Sequence, residues 1–178
     1  NQTNDDFLIL NKDNDWTKFY LGLKSKSQIF FTSLKPLDKN EKGIYFFKNY
    51  LYLKLNEDAK QLFSVKSFIE NMGKHNLYNL MDSVLGAILL EIPIKKIKKQ
   101  INSLPQVSLR QEIVFQNTTL KIINDSAATT PDAVIQAIRR FTESRLTLIT
   151  GGTDKNLDFK NLAKEIKLRL KPEQIIFL

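Results

Sequence analysis

The sequence contains no cysteine and a single histidine, His75. Disulfides, thiolate metal sites and cysteine nucleophiles are therefore excluded. One histidine can supply neither a Ser-His-Asp triad nor a set of zinc ligands. No uninterrupted apolar run reaches the roughly 18 residues that a membrane span requires, and no signal peptide opens the chain. The G-x-x-x-x-G-K-[ST] spacing of a Walker A loop is absent as well. The first residue is Asn1 rather than Met, which reads as a piece of a longer product.

What is present is an ordinary globular composition. Of the 178 residues, 42% are apolar and 26% charged, enough for one large domain or two small ones. The net charge of +8 suits an anionic partner, or a chain that writes lysine on its solvated faces. Only Lys95, Lys96, Lys98 and Lys99 cluster. No aromatic residues interleave with them, so a nucleic-acid surface is not expected.

Apolar runs at residues 7–10 and 29–31 read as buried strands, the first stopped by the polar turn Asn11-Lys12-Asp13-Asn14. Residues 44–47 and 50–55 flank Lys48-Asn49 as a hairpin. Residues 76–91 predict a helix, with Leu77, Leu80, Met81, Val84, Leu85, Ile88 and Leu89 on one face and Pro93 ending it. A lysine-coated helix carrying Ile94, Ile97, Ile101 and Leu104 follows. Leu104 to Ser108 reads as a linker, giving domains 1–104 and 105–178. Beyond it, residues 112–116 and 119–124 predict a second hairpin. Thr130-Pro131-Asp132 offers a hydroxyl cap, a proline and an acid to start a helix bearing Ala133, Val134, Ala137, Ile138 and Phe141. A strand at 146–149, a helix at 158–170 with Phe159, Leu162, Ile166 and Leu170 inward, and a strand at 174–178 complete a β-α-β-α-β order.

Three segments can carry chemistry. In Gly73-Lys74-His75-Asn76-Leu77-Tyr78-Asn79, the amides of Asn76 and Asn79 lie three residues apart near one helix face and could pair with a nucleobase edge. Equally, Asn76 could cap the helix and His75 could be an ordinary hydrogen-bonding residue. In Asn124-Asp125-Ser126-Ala127-Ala128-Thr129-Thr130-Pro131-Asp132, a carboxylate and the hydroxyls of Ser126, Thr129 and Thr130 sit between a strand end and a helix start, where α/β sheets bind ligands. The plainer reading is a polar loop before a well-capped helix. In Gly151-Gly152-Thr153-Asp154-Lys155, the lysine could hold a carboxylate or phosphate, or simply be solvated after a glycine turn.

In this order the segments resemble the Mur ligase family. The Gly73-x-His75-Asn76-x-x-Asn79 helix is similar to the one that receives adenine there. The Asn124-Asp125-Ser126 to Asp132-Ala133 segment, and Ile149 to Lys155 with Asp158-Phe159, look most like the members that add D-glutamate, and Asp6 to Asn14 resembles the family's central-domain strand and acidic turn. The resemblance implies an α/β fold: the later half of a P-loop-type, ATP-binding central domain at 1–104, then the first part of a Rossmann-like ligase domain at 105–178. It implies a cytoplasmic, monomeric, ATP-dependent ligase of cell-wall (peptidoglycan) synthesis, which serves cell shape and division. Its substrates would be UDP-N-acetylmuramoyl-L-alanine, D-glutamate and ATP, joined through an acyl phosphate. No nucleic acid or membrane would be a partner, and magnesium would be held mostly by ligands outside this chain. Asn76 and Asn79 would contact adenine; Arg110 and Asp125 would meet the ribose and phosphates of ATP; Thr129 and Lys155 would hold D-glutamate. No catalytic residue and no metal ligand is assigned, and the 178 residues alone are expected to be inactive. Two departures from the family pattern stand out. Leu109 occupies a position where histidine is common, and Ala127 occupies that of a motif lysine. The alternative these leave is a degenerate, non-catalytic module of the same family that binds a nucleotide or a protein.

Overall fold

The computed structural model describes every residue except Asn1, Asn102, Gln106, 142–144 and Asp154. The chain forms two compact units, Asn1–Leu104 and Pro105–Leu178.

The first unit is a five-stranded sheet covered by helices. Its strands are β1 (Phe7–Asn11), β2 (Gln28–Ser33), β3 (Gly43–Phe47), β4 (Tyr50–Lys54) and β5 (Ala59–Ser64), side by side in that order. β1, β2 and β3 run parallel, whereas β4 and β5 are antiparallel additions. The β3–β4 hairpin turns at Lys48 and Asn49, both with positive φ (46° and 67°), the conformation that matches strand twist in a two-residue turn. Gly43 is required where β3 begins. Its φ is 147°, and an added Cβ would lie 1.8 Å from the Phe31 carbonyl oxygen.

Helix α1 (Thr17–Gly22) connects β1 to β2; α2 (Lys66–Met72) follows β5. A 3-10 turn at Lys74–Asn76 then leads into α3 (Leu77–Leu89), and α4 (Ile94–Ile101) comes next. α3 packs on β1, β2 and β3. Leu77, Leu80, Met81, Val84 and Leu85 are buried there with Phe30, Ile44, Leu51, Phe63 and Val65, while Ile88 and Leu89 pack at the margin. Burying such a side chain is worth about 1.5–3 kcal/mol, so this face dominates the unit's stability. α3 is also tied to the sheet by a polar bond: the buried Thr32 hydroxyl donates to Asp82 Oδ1 at 2.9 Å. Burial pushes the Asp82 carboxyl above its ordinary range, and this bond partly opposes it.

The structure corrects several sequence expectations. None of α1, β5 and α2 was expected. α1 buries only Thr17 and leaves Trp16, Phe19 and Tyr20 exposed around it, so it has no apolar periodicity. Pro93 opens α4 rather than ending α3, its carbonyl accepting the Lys96 and Ile97 N–H groups after α3 has stopped at Leu89. Proline at a helix start loses no intrahelical bond.

The second unit contains β6 (Glu112–Gln116), β7 (Lys121–Asn124), α5 (Pro131–Phe141), β8 (Leu148–Thr150), α6 (Lys160–Arg169) and β9 (Ile175–Phe177). The order after β6 is the expected β-α-β-α-β. β6 and β7 pair antiparallel; β8 and β9 pair parallel as a separate two-stranded sheet. Thr130 caps α5 through Oγ1, which accepts the Ala133 N–H at 3.4 Å. The core is Ile135, Ile138, Leu162 and Leu170, with Val134, Leu146, Leu148, Ile166 and Ile175 against it. Phe159 was expected inside but precedes the first turn of α6 and is 47% exposed.

α5 and α6 are joined by charge. Arg139 grips Glu165 with two bonds, Nε to Oε1 at 3.0 Å and Nη2 to Oε2 at 2.8 Å, and Arg169 Nε adds a third. The Arg139 bonds lead in lowering the Glu165 carboxyl from 4.5 to about 2, against desolvation. The unfolded chain takes up a proton near 4.5, while the folded chain refuses it until about 2. The clamp therefore contributes fully above that upper value and is lost as pH falls toward the lower one. Glu165→Gln should lower stability near neutrality by about 1–2 kcal/mol, less than for a fully buried pair because both guanidinium groups reach water. Melting curves by circular dichroism should show a flatter acid dependence for the variant. An unchanged acid dependence would show that the clamp contributes nothing.

Candidate functional site

In the first unit, the chemistry-bearing segment lies where the chain leaves α2 and enters α3. Gly73 adopts φ 83°, the 3-10 turn follows, and Asn76 occupies the position before the first residue of α3. Asn76 makes no side-chain capping bond. Instead, its Nδ2 donates back to the Met72 carbonyl at 2.6 Å and lies 3.1 Å from His75 Nε2. Its Oδ1 accepts from Asn79 Nδ2 at 3.2 Å. The two amides are thus brought together, with Asn76 half-buried and fixed and Asn79 exposed on the outer side of the first turn. The capping alternative for Asn76 does not hold.

Sequence reasoning missed the group that anchors this corner. Asp13, in the turn after β1, accepts the Ser33 hydroxyl on Oδ1 at 3.1 Å. Its Oδ2 accepts the Leu34 N–H at 2.7 Å and the Tyr78 hydroxyl at 2.8 Å. One carboxylate therefore joins the C-terminal ends of two parallel strands to the first turn of α3. Burial, and then the Asp13 bond, push the Tyr78 hydroxyl well above its ordinary range, so it stays a donor. The advance signals were an acid in a polar turn after a strand and the resemblance of that stretch to the family's acidic turn, neither of which gave Asp13 a role.

In the second unit, Arg110 is exposed between two residues in the left-handed region, Leu109 (φ 61°) and Gln111 (φ 48°). Asp125 follows β7, and its Oδ1 accepts the Gln111 N–H at 3.0 Å. The structure thus brings Asp125 to the backbone beside Arg110. The Ala127 N–H donates to the Leu109 carbonyl at 2.9 Å, fastening the two loops a second time. Thr129 is exposed in the same loop, its N–H donating to the Ala127 carbonyl at 2.9 Å. Lys155 is exposed beyond β8 and the Gly151-Gly152 pair, and no hydrogen bond or ion pair joins it to Thr129. Asp154, beside it, lies outside the described residues. Gly151 is needed for a close approach, since a Cβ there would meet the Leu178 carbonyl oxygen at 2.4 Å.

Among the described residues, no three His, Cys, Asp or Glu side chains gather to hold a metal ion. No helix of the described residues is long and apolar enough to cross a membrane.

Comparison with known proteins finds this mixed α/β chain similar to Mur ligases along more than nine-tenths of its length. The chain is 32% identical to the UDP-N-acetylmuramoylalanine--D-glutamate ligase of Lachnoclostridium phytofermentans, over 92% of this chain and 35% of that protein. It is 31% identical to the ligase of the same name from Clostridioides difficile, over 96% of this chain and 37% of that protein. The chain therefore spans just over a third of the length of these relatives. The fold is shared with MurF of Acinetobacter baumannii, at a TM-score of 0.63 and 15% identity, covering 97% of this chain and 42% of that one. It is also shared with the MurF ligase of Thermotoga maritima solved in complex with ADP, at a TM-score of 0.52 and 13% identity, covering 98% and 44%. No protein-family model matches the chain.

Proposed function

We propose that this chain is the part of an ATP-dependent amide-bond ligase that receives adenine and D-glutamate, in an enzyme joining D-glutamate to UDP-N-acetylmuramoyl-L-alanine for peptidoglycan synthesis. The observation that carries the reading is the likeness to the D-glutamate ligases along more than nine-tenths of the chain. Beside it stands a loop of this chain that ends a strand, holds Asp125 and Thr129, and opens a capped helix. Units 1–104 and 105–178 would be the later half of the ATP-binding domain and the first part of the ligase domain.

Each residue then has a role. The linked amides of Asn76 and Asn79 present a donor and acceptors to the adenine edge. Arg110 meets the nucleotide phosphates as a cation, and Asp125 holds the backbone next to it. Thr129 and Lys155 bind the carboxylates of D-glutamate, leaving its amine free to attack the acyl phosphate. The attack forms the amide and expels inorganic phosphate, and the amine's protons pass to the surroundings. With no Walker A loop in the sequence, the 178 residues by themselves would not turn over.

The deciding measurement is Lys155→Ala in the protein that carries this chain. Losing a charge-assisted bond to a carboxylate should raise the KM for D-glutamate about tenfold or more. The KM for ATP should stay within about twofold, because the ammonium is assigned to one substrate only. Equal effects on the two substrates, or none, would reject the assignment. Since Lys155 is exposed and its side chain makes no bond among the described residues, loss of folding is not expected to confuse the result.

A further inference from the structure

We infer that Arg140 and Gln111 form a clasp that positions Arg110 for an anionic ligand, an inference that rests on the proposed reading of Arg110 as a nucleotide-phosphate contact. Arg140, near the end of α5, donates from Nη1 to Gln111 Oε1 at 2.7 Å. Gln111 is buried, at 5% exposure, although it neighbours an exposed arginine in a loop. Its N–H is taken by Asp125 at 3.0 Å, so the residue is held by its backbone and its side chain at once. The Arg140 guanidinium is in turn fixed over the Phe141 ring, 5.0 Å from its centre.

The backbone explains why such a clasp is needed. Leu109 and Gln111 both stand in the left-handed region, which is unfavourable for any residue with a β-carbon and persists only when the surroundings enforce it. Leu109 is enforced by its carbonyl, bonded to the Ala127 N–H at 2.9 Å, and by its own N–H, which donates to Glu112 Oε2 at 2.8 Å. Gln111 is enforced by Asp125 and Arg140. Packing does not require this shape, because Leu109 is 47% exposed and lies outside the unit's core. The result is an arginine whose flanking residues are locked while its own side chain remains in solvent. Such a cation is presented in one place without the entropy loss of ordering a loop on binding. Arg140 is thus a positioning residue that acts through Gln111. It lies 29 residues from its partner in sequence, which is why no local motif reveals it.

The test is steady-state kinetics with ATP as the varied substrate, in the protein that carries this chain, with melting temperatures recorded alongside. Arg140→Leu should raise the KM for ATP about fivefold, the net size of one ordinary hydrogen bond. Arg140→Lys, which can still donate to Gln111 Oε1, should stay within about twofold of the parent. Gln111→Leu removes the same bond from the other side and should match Arg140→Leu, which guards against one variant simply folding poorly. The decisive arm is the double variant: with Arg110→Ala already in place, Arg140→Leu should raise the KM no further. A purely structural role would instead lower the melting temperature and multiply with Arg110→Ala. If Arg110→Ala raises the KM but Arg140→Leu and Gln111→Leu do not, the clasp is overturned and the phosphate reading stands. If Arg110→Ala itself leaves the KM unchanged, the phosphate reading of Arg110 fails and the clasp fails with it.

Discussion

Asn79→Leu is expected to raise the KM for ATP by about tenfold or more and to narrow the preference for ATP over GTP, with little change in melting temperature. Adenine offers an amine donor beside a ring-nitrogen acceptor, a pattern that an amide can match with both of its ends. Asn79 is exposed, so leucine there empties no core and strands no buried group. What it removes is the outer half of a linked pair. Asn79 Nδ2 is oriented by Asn76 Oδ1, and Asn76 by the Met72 carbonyl. A base approaching the first turn of α3 would therefore meet an amide already turned. Initial rates across an ATP series and a GTP series read the effect directly. Unchanged nucleotide dependence would reduce Asn79 to a residue on a helix face.

The parts of this molecule that were legible in its sequence are those in which a short stretch of chain decides its own conformation. α3 announces itself because seven apolar residues recur at spacings of three and four, and five of them are buried. The β3–β4 turn is legible because an asparagine there tolerates positive φ. The α5 start is legible because Thr130 and Pro131 favour a helix beginning in any context. β5 is harder, since its exposed Ala59, Lys60 and Gln61 carry no apolar alternation at the sheet edge. The candidate sites divide in the same way. Asn76 and Asn79 lie three residues apart and meet by helical geometry. Asp13 meets Ser33 and Tyr78 across 20 and 65 residues, and Asp125 meets Gln111 across 14. Those meetings exist only once the strands have found their order, so no local pattern foretells them.

Ala127→Lys is expected to raise the turnover number of the protein carrying this chain by at least about tenfold. A preorganised cation facing developing phosphate charge can be worth about 3–4 kcal/mol in a water-poor site. The motif position in the resembling ligases holds a lysine, and alanine can neither donate nor neutralise. The structure favours the substitution being tolerated. The loop around Ala127 is set by backbone bonds: the Ala128 N–H to the Asp125 carbonyl at 2.8 Å, the Thr129 N–H to the Ala127 carbonyl, and the Ala127 N–H to the Leu109 carbonyl, both at 2.9 Å. None of them uses the side chain of residue 127, which is half-exposed, so a longer one can be added without undoing the turn. The competing expectation is that another cation already supplies the charge, in which case a second would repel it and the turnover number would stay level or fall. Of the arginines in this unit's loop and first helix, Arg139 is committed to Glu165 and Arg140 to Gln111. Among the described residues, Arg110 is the arginine of these three whose guanidinium no other side chain engages, so compensation would come from it or from segments of the protein outside this chain. The two cases separate in one experiment. Ala127→Lys and Ala127→Lys with Arg110→Ala are compared with the parent under saturating ATP and D-glutamate. A rise in the single variant identifies Ala127 as the limiting position. A level or lower value that becomes a rise only when Arg110 is removed assigns the charge to Arg110 and defeats the prediction.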